Sequence, residues 1–297
     1  MPSTLLVSGA SGHLGERVVA HLVQSQKVPA SRIVAGTRTP EKLASTAAKG
    51  IAVRKLDFED RDTLAPALQG VERMLIISTD AIDRPGRRLA QHRAAVEAAK
   101  AAGVKHVVYT SMPNPETSLV TFAPDHLGTE QALAGSGLGW TVLRMNWYME
   151  NLLASLPSAL AMGKWYTSAG EGRVGYVSRE DCARAAAAAL AASDRGSSRL
   201  DVTGPQSLSV SEIAAMVRRI TSKPLEVVQQ TDDERKQALG AAGLPQPIVA
   251  LVVSVEASIR AGKLDVASDA VEKLTGRPPK TLTEFFAEHQ AALAAAR

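Results

Sequence analysis

Cysteine is nearly missing from this sequence. Cys182 is the one thiol in 297 residues, so no disulfide can form within the chain, and a reducing compartment suits it. It sits in Asp181-Cys182-Ala183-Arg184-Ala185, an alanine-rich helical stretch where a small buried thiol is expected, not a nucleophile. Long apolar runs are also lacking: the longest strongly apolar stretch, residues 248–255, is far too short to cross a bilayer. The N-terminus shows no basic leader followed by an apolar core, so no secretory signal is expected. Charge of one sign is not gathered anywhere. The net charge is +4 and the Lys and Arg are scattered among Asp and Glu, which argues against nucleic acid as a partner. There is no internal repeat. These absences lead to an expectation of a cytoplasmic protein that binds neither membrane nor nucleic acid.

What is present suits an ordinary globular protein. The 45 % hydrophobic and 22 % charged fractions are typical, and the length allows a full core, as one large domain or a domain with an appendage. The chain opens on a short strand run, residues 4–8. It passes directly into Gly9-Ala10-Ser11-Gly12-His13-Leu14-Gly15 and then into helical spacing over residues 16–23. In a dinucleotide fold the first glycine permits the tight turn, the second lets the backbone approach a pyrophosphate, and the third allows close packing of helix and strand. The free N–H groups at the start of the helix would receive the pyrophosphate.

Strands are expected at residues 33–37, 51–56, 74–77, 107–109 and 140–143. Helices are expected between them at 40–49, 62–68, 86–102 and 125–134. This alternation predicts a Rossmann-type doubly wound parallel sheet, an α/β fold. Beyond Asn146 the rhythm loosens: short strands at 174–177, 199–202 and 225–229, helices at 179–192 and 209–221, then mostly helix up to a polar tail at 288–297. Residues 1–146 are therefore read as the dinucleotide-binding domain. Residues 147–297 are read as a smaller, mostly helical substrate-binding region packed on it, not an independent domain.

The end of the second strand selects between nicotinamide cofactors. An acid there would bond the ribose 2′-hydroxyl of NADH. This chain has Gly36-Thr37-Arg38, with Lys42 one turn further on, and a guanidinium suits a 2′-phosphate, so NADPH is expected over NADH. Asp57 and Phe58 end the third strand, placed to accept from the adenine amine and to stack on the ring. Ser78-Thr79-Asp80 ends the fourth and Tyr109-Thr110-Ser111-Met112-Pro113 the fifth. Both should line the nicotinamide end, because ligands bind at the carboxyl edge of such sheets.

The acid of an ordinary short-chain dehydrogenase, a Tyr followed four residues later by Lys, is missing. The same offset carries His126 and Glu130, the latter expected in a structural salt bridge or hydrogen bond. Tyr109 and His126 are the nearest candidates for a proton-handling role. Without the usual donor, reduction of a simple ketone loses its acid. Hydride transfer to a quinone asks for less, since the product is a delocalised phenolate that water can protonate and positioning can suffice.

The glycine loop, Arg38, Ala101-Ala102-Gly103-Val104-Lys105-His106, Tyr109-Thr110-Ser111 and Leu143-Arg144 with Trp147-Tyr148-Met149-Glu150-Asn151 together resemble the NmrA-like atypical short-chain dehydrogenases. The likeness extends to residues 154–160 and 240–245. Within these the chain looks most like the bacterial type 2 NAD(P)H:quinone oxidoreductases, with triphenylmethane reductases also similar. The resemblance implies an NADPH-dependent reductase of a quinone or extended aromatic acceptor, without flavin or metal. It also leaves open an NADP(H)-binding redox sensor without turnover, a triphenylmethane-dye reductase, and assembly as a homodimer. Where the quinone reductases carry Asn then Gly after Leu-Arg, this chain has Met145-Asn146. The resemblance puts Asn146 in the catalytic site and Met112, Met145, Asn146, Trp147 and Tyr148 around the acceptor, the last two able to stack on a flat ring.

Overall fold

Leu5, Leu6 and Val7 are all within 2 % of full burial, as a strand with neighbours on both sides and helices on both faces requires. The protein, a computed structural model, is described over residues 4–194 and 196–294. In chain order its elements begin β1 (Leu5–Val7), α1 (His13–Gln24), β2 (Ile33–Thr37), α2 (Ala44–Ala47), β3 (Ala52–Lys55), α3 (Leu64–Leu68) and β4 (Arg73–Ile76). They continue α4 (Arg87–Ala101), β5 (His106–Ser111), α5 (Ala123–Ala134), β6 (Gly139–Met145), α6 (Glu150–Met162), β7 (Lys164–Thr167) and β8 (Arg173–Val174). Then follow α7 (Arg179–Ala191), β9 (Ser198–Val202), β10 (Leu208–Ser209), α8 (Val210–Thr221) and β11 (Glu226–Gln229). Last come α9 (Asp232–Ala241), α10 (Gln246–Arg260), α11 (Ala270–Thr275), α12 (Leu282–Glu288) and α13 (Gln290–Ala294).

Seven strands form one parallel sheet in the order β3-β2-β1-β4-β5-β6-β9. The alternation of side chains sorts the two faces. Leu5, Val7, Ala35, Leu75, Val108 and Leu143 pack with Val18 and Leu22 of α1 and the alanines of α7. Leu6, Val34, Met74, Ile76, Val107, Tyr109 and Val142 pack with α3, α4 and Leu133 of α5. The strand order reverses between β1 and β4, which opens a crevice at their carboxyl ends. A second apolar core joins α6, α8, α10 and α12, with Trp165 of β7 and Val227 of β11 against it.

The sequence expectation differs from the structure at the far edge of the sheet. Residues 199–202 were assigned to the C-terminal region, yet β9 pairs in parallel with β6 and completes the main sheet. The preceding helix α7 lies against α1, and its buried Ala183, Ala185, Ala186, Ala187 and Ala189 allow a close approach. A division at Asn146 therefore cuts across the sheet layer. Of the strand expected at 174–177, only Arg173–Val174 forms a ladder, while Val177 makes a single bridge to Tyr148. The expected polar tail is helical as far as Ala294, with Leu293 buried; residues 295–297 lie outside the described residues. The α4, α5 and β2 positions agree with expectation to within two residues.

Candidate active site

Gly9 has φ +60°, a left-handed turn that a side chain would strain, and it reverses the chain directly after β1. Gly15 has a different reason to be glycine: a Cβ there would lie 2.2 Å from the Gly9 carbonyl oxygen, so the first turn of α1 can rest on the loop only without one. Gly12 caps α1 with no side-chain hydrogen bond, which leaves the first-turn amides available to an anion.

Over this turn lies a cavity of about 450 Å³ lined by Ser8, Gly9, Ser11, Gly12, Thr37, Arg38, Thr39, Lys42, Leu56, Asp57, Phe58, Ile77, Ser78, Thr79, Asp80 and Gln91. The structure thus gathers Arg38, Lys42, Asp57, Phe58, Ser78, Thr79 and Asp80 around the glycine turn. Arg38 is largely exposed and reaches Asp80 across the cavity at 3.8 Å, a weak tether that leaves its guanidinium free to turn. The loop is held by Ser11 Oγ and Thr37 Oγ1 at 2.8 Å. Two buried polar atoms on the wall, Thr79 Oγ1 and Gln91 Oε1, have no hydrogen-bond partner among the described residues. Buried polar atoms left bare are costly, so this wall is built for a polar ligand. A dinucleotide phosphate backbone with its ribose hydroxyls and base fits the amides, the cations and these bare atoms.

Four of the expected loop residues do not wall this cavity. Ala10 and Leu14 point into the core, Gly15 is covered by Gly9, and the His13 side chain is exposed. Sequence reasoning missed Ser8, Thr37, Thr39, Leu56, Ile77 and Gln91 as lining residues.

A second cavity of about 190 Å³ adjoins the first and shares Ser78 with it. Met112, Met145, Asn146, Trp147 and Tyr148 all line it, as do Thr110 and Ser111, which were expected beside the cofactor. Arg88, Pro113, Phe122, His126, Asn151 and Leu264 complete the wall. Thr110 Oγ1 accepts the Ser78 N–H at 2.8 Å and so fixes the ridge between the two cavities. Ser111 Oγ donates to Glu130 at 2.6 Å; that buried carboxylate is ion-paired with Arg144 and Arg199, the structural role expected of it.

Two of the catalytic candidates are placed differently from expectation. Tyr109 is fully buried on the α4/α5 face of the sheet and lines neither cavity; burial also pushes its phenol above the ordinary value. Asn146 borders the second cavity, but its amide is engaged elsewhere. Nδ2 donates to the Leu264 carbonyl at 3.0 Å and Oδ1 accepts the Trp147 N–H at 2.8 Å, so Asn146 fastens the C-terminal region to the end of β6.

His126 is reached through a chain of bonds. The Thr79 N–H donates to His92 Nε2 at 3.0 Å, so the neutral His92 carries its proton on Nδ1 and offers it to Thr129 Oγ1 at 2.9 Å. Desolvation holds His92 down to about 3. The Tyr109 hydroxyl is hydrogen-bonded to His126 Nδ1 at 2.8 Å and lies 3.4 Å from His92 Nδ1. Burial, with Arg88 nearby, keeps the His126 ring neutral.

Among the described residues no three His, Cys, Asp or Glu side chains gather as a metal site, and no helix is long and apolar enough to cross a membrane.

Comparison with known proteins follows the same lines. Residues 9–193 match the model of an NAD(P)H-binding family. The chain is 37 % identical to quinone oxidoreductase 2 of Escherichia coli K12, over 94 % of this chain and 96 % of that protein. The crystal structure of the NADPH-dependent quinone oxidoreductase from Escherichia coli, complexed with NADPH, superposes with a TM-score of 0.91 at 36 % identity, covering 96 % of this chain and 99 % of that one. The triphenylmethane reductase of Citrobacter sp. complexed with NADP(H) gives 0.87 at 32 % identity, covering 96 % and 99 %. An NmrA-like family domain-containing oxidoreductase of Aspergillus flavus is 28 % identical over 92 % of this chain and 91 % of that protein.

Proposed function

The chain belongs to the NAD(P)H-binding family, and on that premise we propose that it is an NADPH-dependent oxidoreductase whose acceptor is a quinone or a similar extended aromatic molecule. The observation that carries the reading is the junction of the two cavities at Ser78. A polar cavity over the glycine turn meets an aromatic and sulfur-lined one across a single residue. Likeness to the quinone and triphenylmethane reductases supports the same reading.

Bound NADPH supplies a hydride, two electrons with one hydrogen, from its nicotinamide ring. Arg38 and Lys42 would hold the 2′-phosphate, and Gly9, Ser11 and Gly12 would admit the pyrophosphate to the amides of α1. Asp57 and Phe58 would take the adenine, and Ser78 and Thr79 would bring the nicotinamide to the ridge. Trp147, Tyr148, Met112 and Met145 would sandwich a flat acceptor against it, and holding the ring in contact lowers the barrier by positioning. A quinone that accepts the hydride becomes a hydroquinone monoanion, and one proton from water completes the product. No wall residue has to titrate: His126 is held neutral, and Tyr109 is out of reach.

Steady-state NADPH oxidation with and without 1,4-benzoquinone tests the proposal. Quinone-dependent oxidation at ordinary enzyme rates is expected. Tight NADPH binding with no turnover on any aromatic acceptor would instead mark a redox sensor.

A further inference from the structure

Arg88 is the one strongly charged side chain in the acceptor cavity, and nothing in the fold accounts for it. It is 7 % exposed. It forms no ion pair or hydrogen bond to a described residue, and its Nε is buried without a partner. Its guanidinium carbon lies 5.0 Å from the centre of the Phe122 ring. Its neighbour Arg87 shows what an ordinary arginine does at this point of α4: it turns outward and pairs with Glu59 and Asp83. A buried guanidinium without a counter-ion is expensive, and folds retain such groups where a ligand supplies the missing charge. Asp80 and Asp125 lie near enough to be felt but form no ion pair with it.

We propose that Arg88 is a catalytic residue that binds the oxyanion of the acceptor as it forms. The proposal rests on the hydride-transfer reading above. The acceptor enters neutral and leaves the hydride step carrying one negative charge, so a fixed cation on the wall favours the charged state over the ground state. Burial strengthens the effect, since little water screens it. The same cation sets specificity. Neutral acceptors that become oxyanions are favoured, anionic ones are tolerated, and permanently cationic dyes are opposed by charge.

The test compares wild type with Arg88→Met and Arg88→Lys. Wild type should reduce 1,4-benzoquinone well and malachite green poorly. Arg88→Met should lower benzoquinone kcat/KM by about 100- to 1,000-fold with NADPH affinity unchanged, and should shift relative preference toward the dye. Because the variant removes an unpaired buried charge, its melting temperature should hold or rise, which a merely structural arginine would not allow. Arg88→Lys should recover part of the lost rate. Binding to the NADP⁺-loaded protein gives a readout free of turnover: 4-nitrophenolate should bind more tightly than nitrobenzene to wild type and lose that advantage in Arg88→Met. Benzoquinone activity within threefold of wild type in Arg88→Met, or loss of NADPH affinity there, would overturn the proposal. So would equal binding of the two probes to wild type. Absence of quinone turnover in wild type would count against the hydride-transfer reading alone, because the phenolate comparison still decides whether the cavity binds an oxyanion.

Discussion

Replacing Tyr109 by Phe removes one atom, and the structure assigns that atom a single principal partner. The hydroxyl is fully buried and hydrogen-bonded to His126 Nδ1 at 2.8 Å. The ring is kept, so no cavity of consequence opens, and the cost is that of leaving a buried ring nitrogen without its partner, about 1–3 kcal/mol. For a chain of this size each kcal/mol moves the melting temperature by about 2–4 °C, so a fall of several degrees is expected. Activity should change less. The hydroxyl touches neither cavity, and benzoquinone kcat/KM should stay within about two orders of magnitude, the lower range of a general acid's contribution. Calorimetry and steady-state kinetics on the same preparation give both numbers. A loss beyond about four orders of magnitude with stability and NADPH affinity intact would show that the phenol is the proton donor, and the placement of the site would be wrong.

Two further outcomes follow from the same geometry. Arg38→Ala should weaken NADPH by about ten- to a hundred-fold more than NADH, toward the lower figure because the side chain is two-thirds exposed, and titration with both cofactors checks it. Equal losses would remove the 2′-phosphate assignment. Stability should fall on mild acidification, because buried His92 and His106 are held down to about 3 and 4 while the unfolded chain protonates near 6.5. Their contribution is complete above pH 6.5 and is lost as the pH drops below it, since the unfolded state then binds protons that the fold does not. Between pH 7.5 and 5.5 the two should cost about 3 kcal/mol in urea unfolding, with His126 acting in the same direction; a flat profile would contradict the burial.

The glycine turn, β2 and the Arg38 position were legible in the sequence because each depends on local chain geometry. The wall made by Met112, Met145, Trp147 and Tyr148 was legible through family resemblance, since those residues meet only in the fold. Tyr109 was placed in the site because β5 offered no parity. A parallel strand covered on both faces is apolar on both, so Val107-Val108-Tyr109 does not say which way the phenol turns. The joining of β9 to the sheet was hidden for another reason: pairing with β6 depends on contacts some sixty residues apart and leaves no local mark. Arg88 did leave one. Arg88, Gln91, His92 and Ala95 lie on a single buried stripe of α4, a polar inward face at helical spacing that reads as solvated surface until the phase of the helix is known.

The central claim is direct hydride transfer between the cavities that meet at Ser78, and NADPH deuterated at the transferred position of its nicotinamide tests it most directly. With 1,4-benzoquinone the account predicts slower single-turnover oxidation of the deuterated cofactor than of ordinary NADPH, one quinone reduced for each NADPH consumed, and no need for added flavin or metal. Deuterated and ordinary NADPH oxidised at the same rate under single-turnover conditions, or turnover only on addition of flavin, would contradict it.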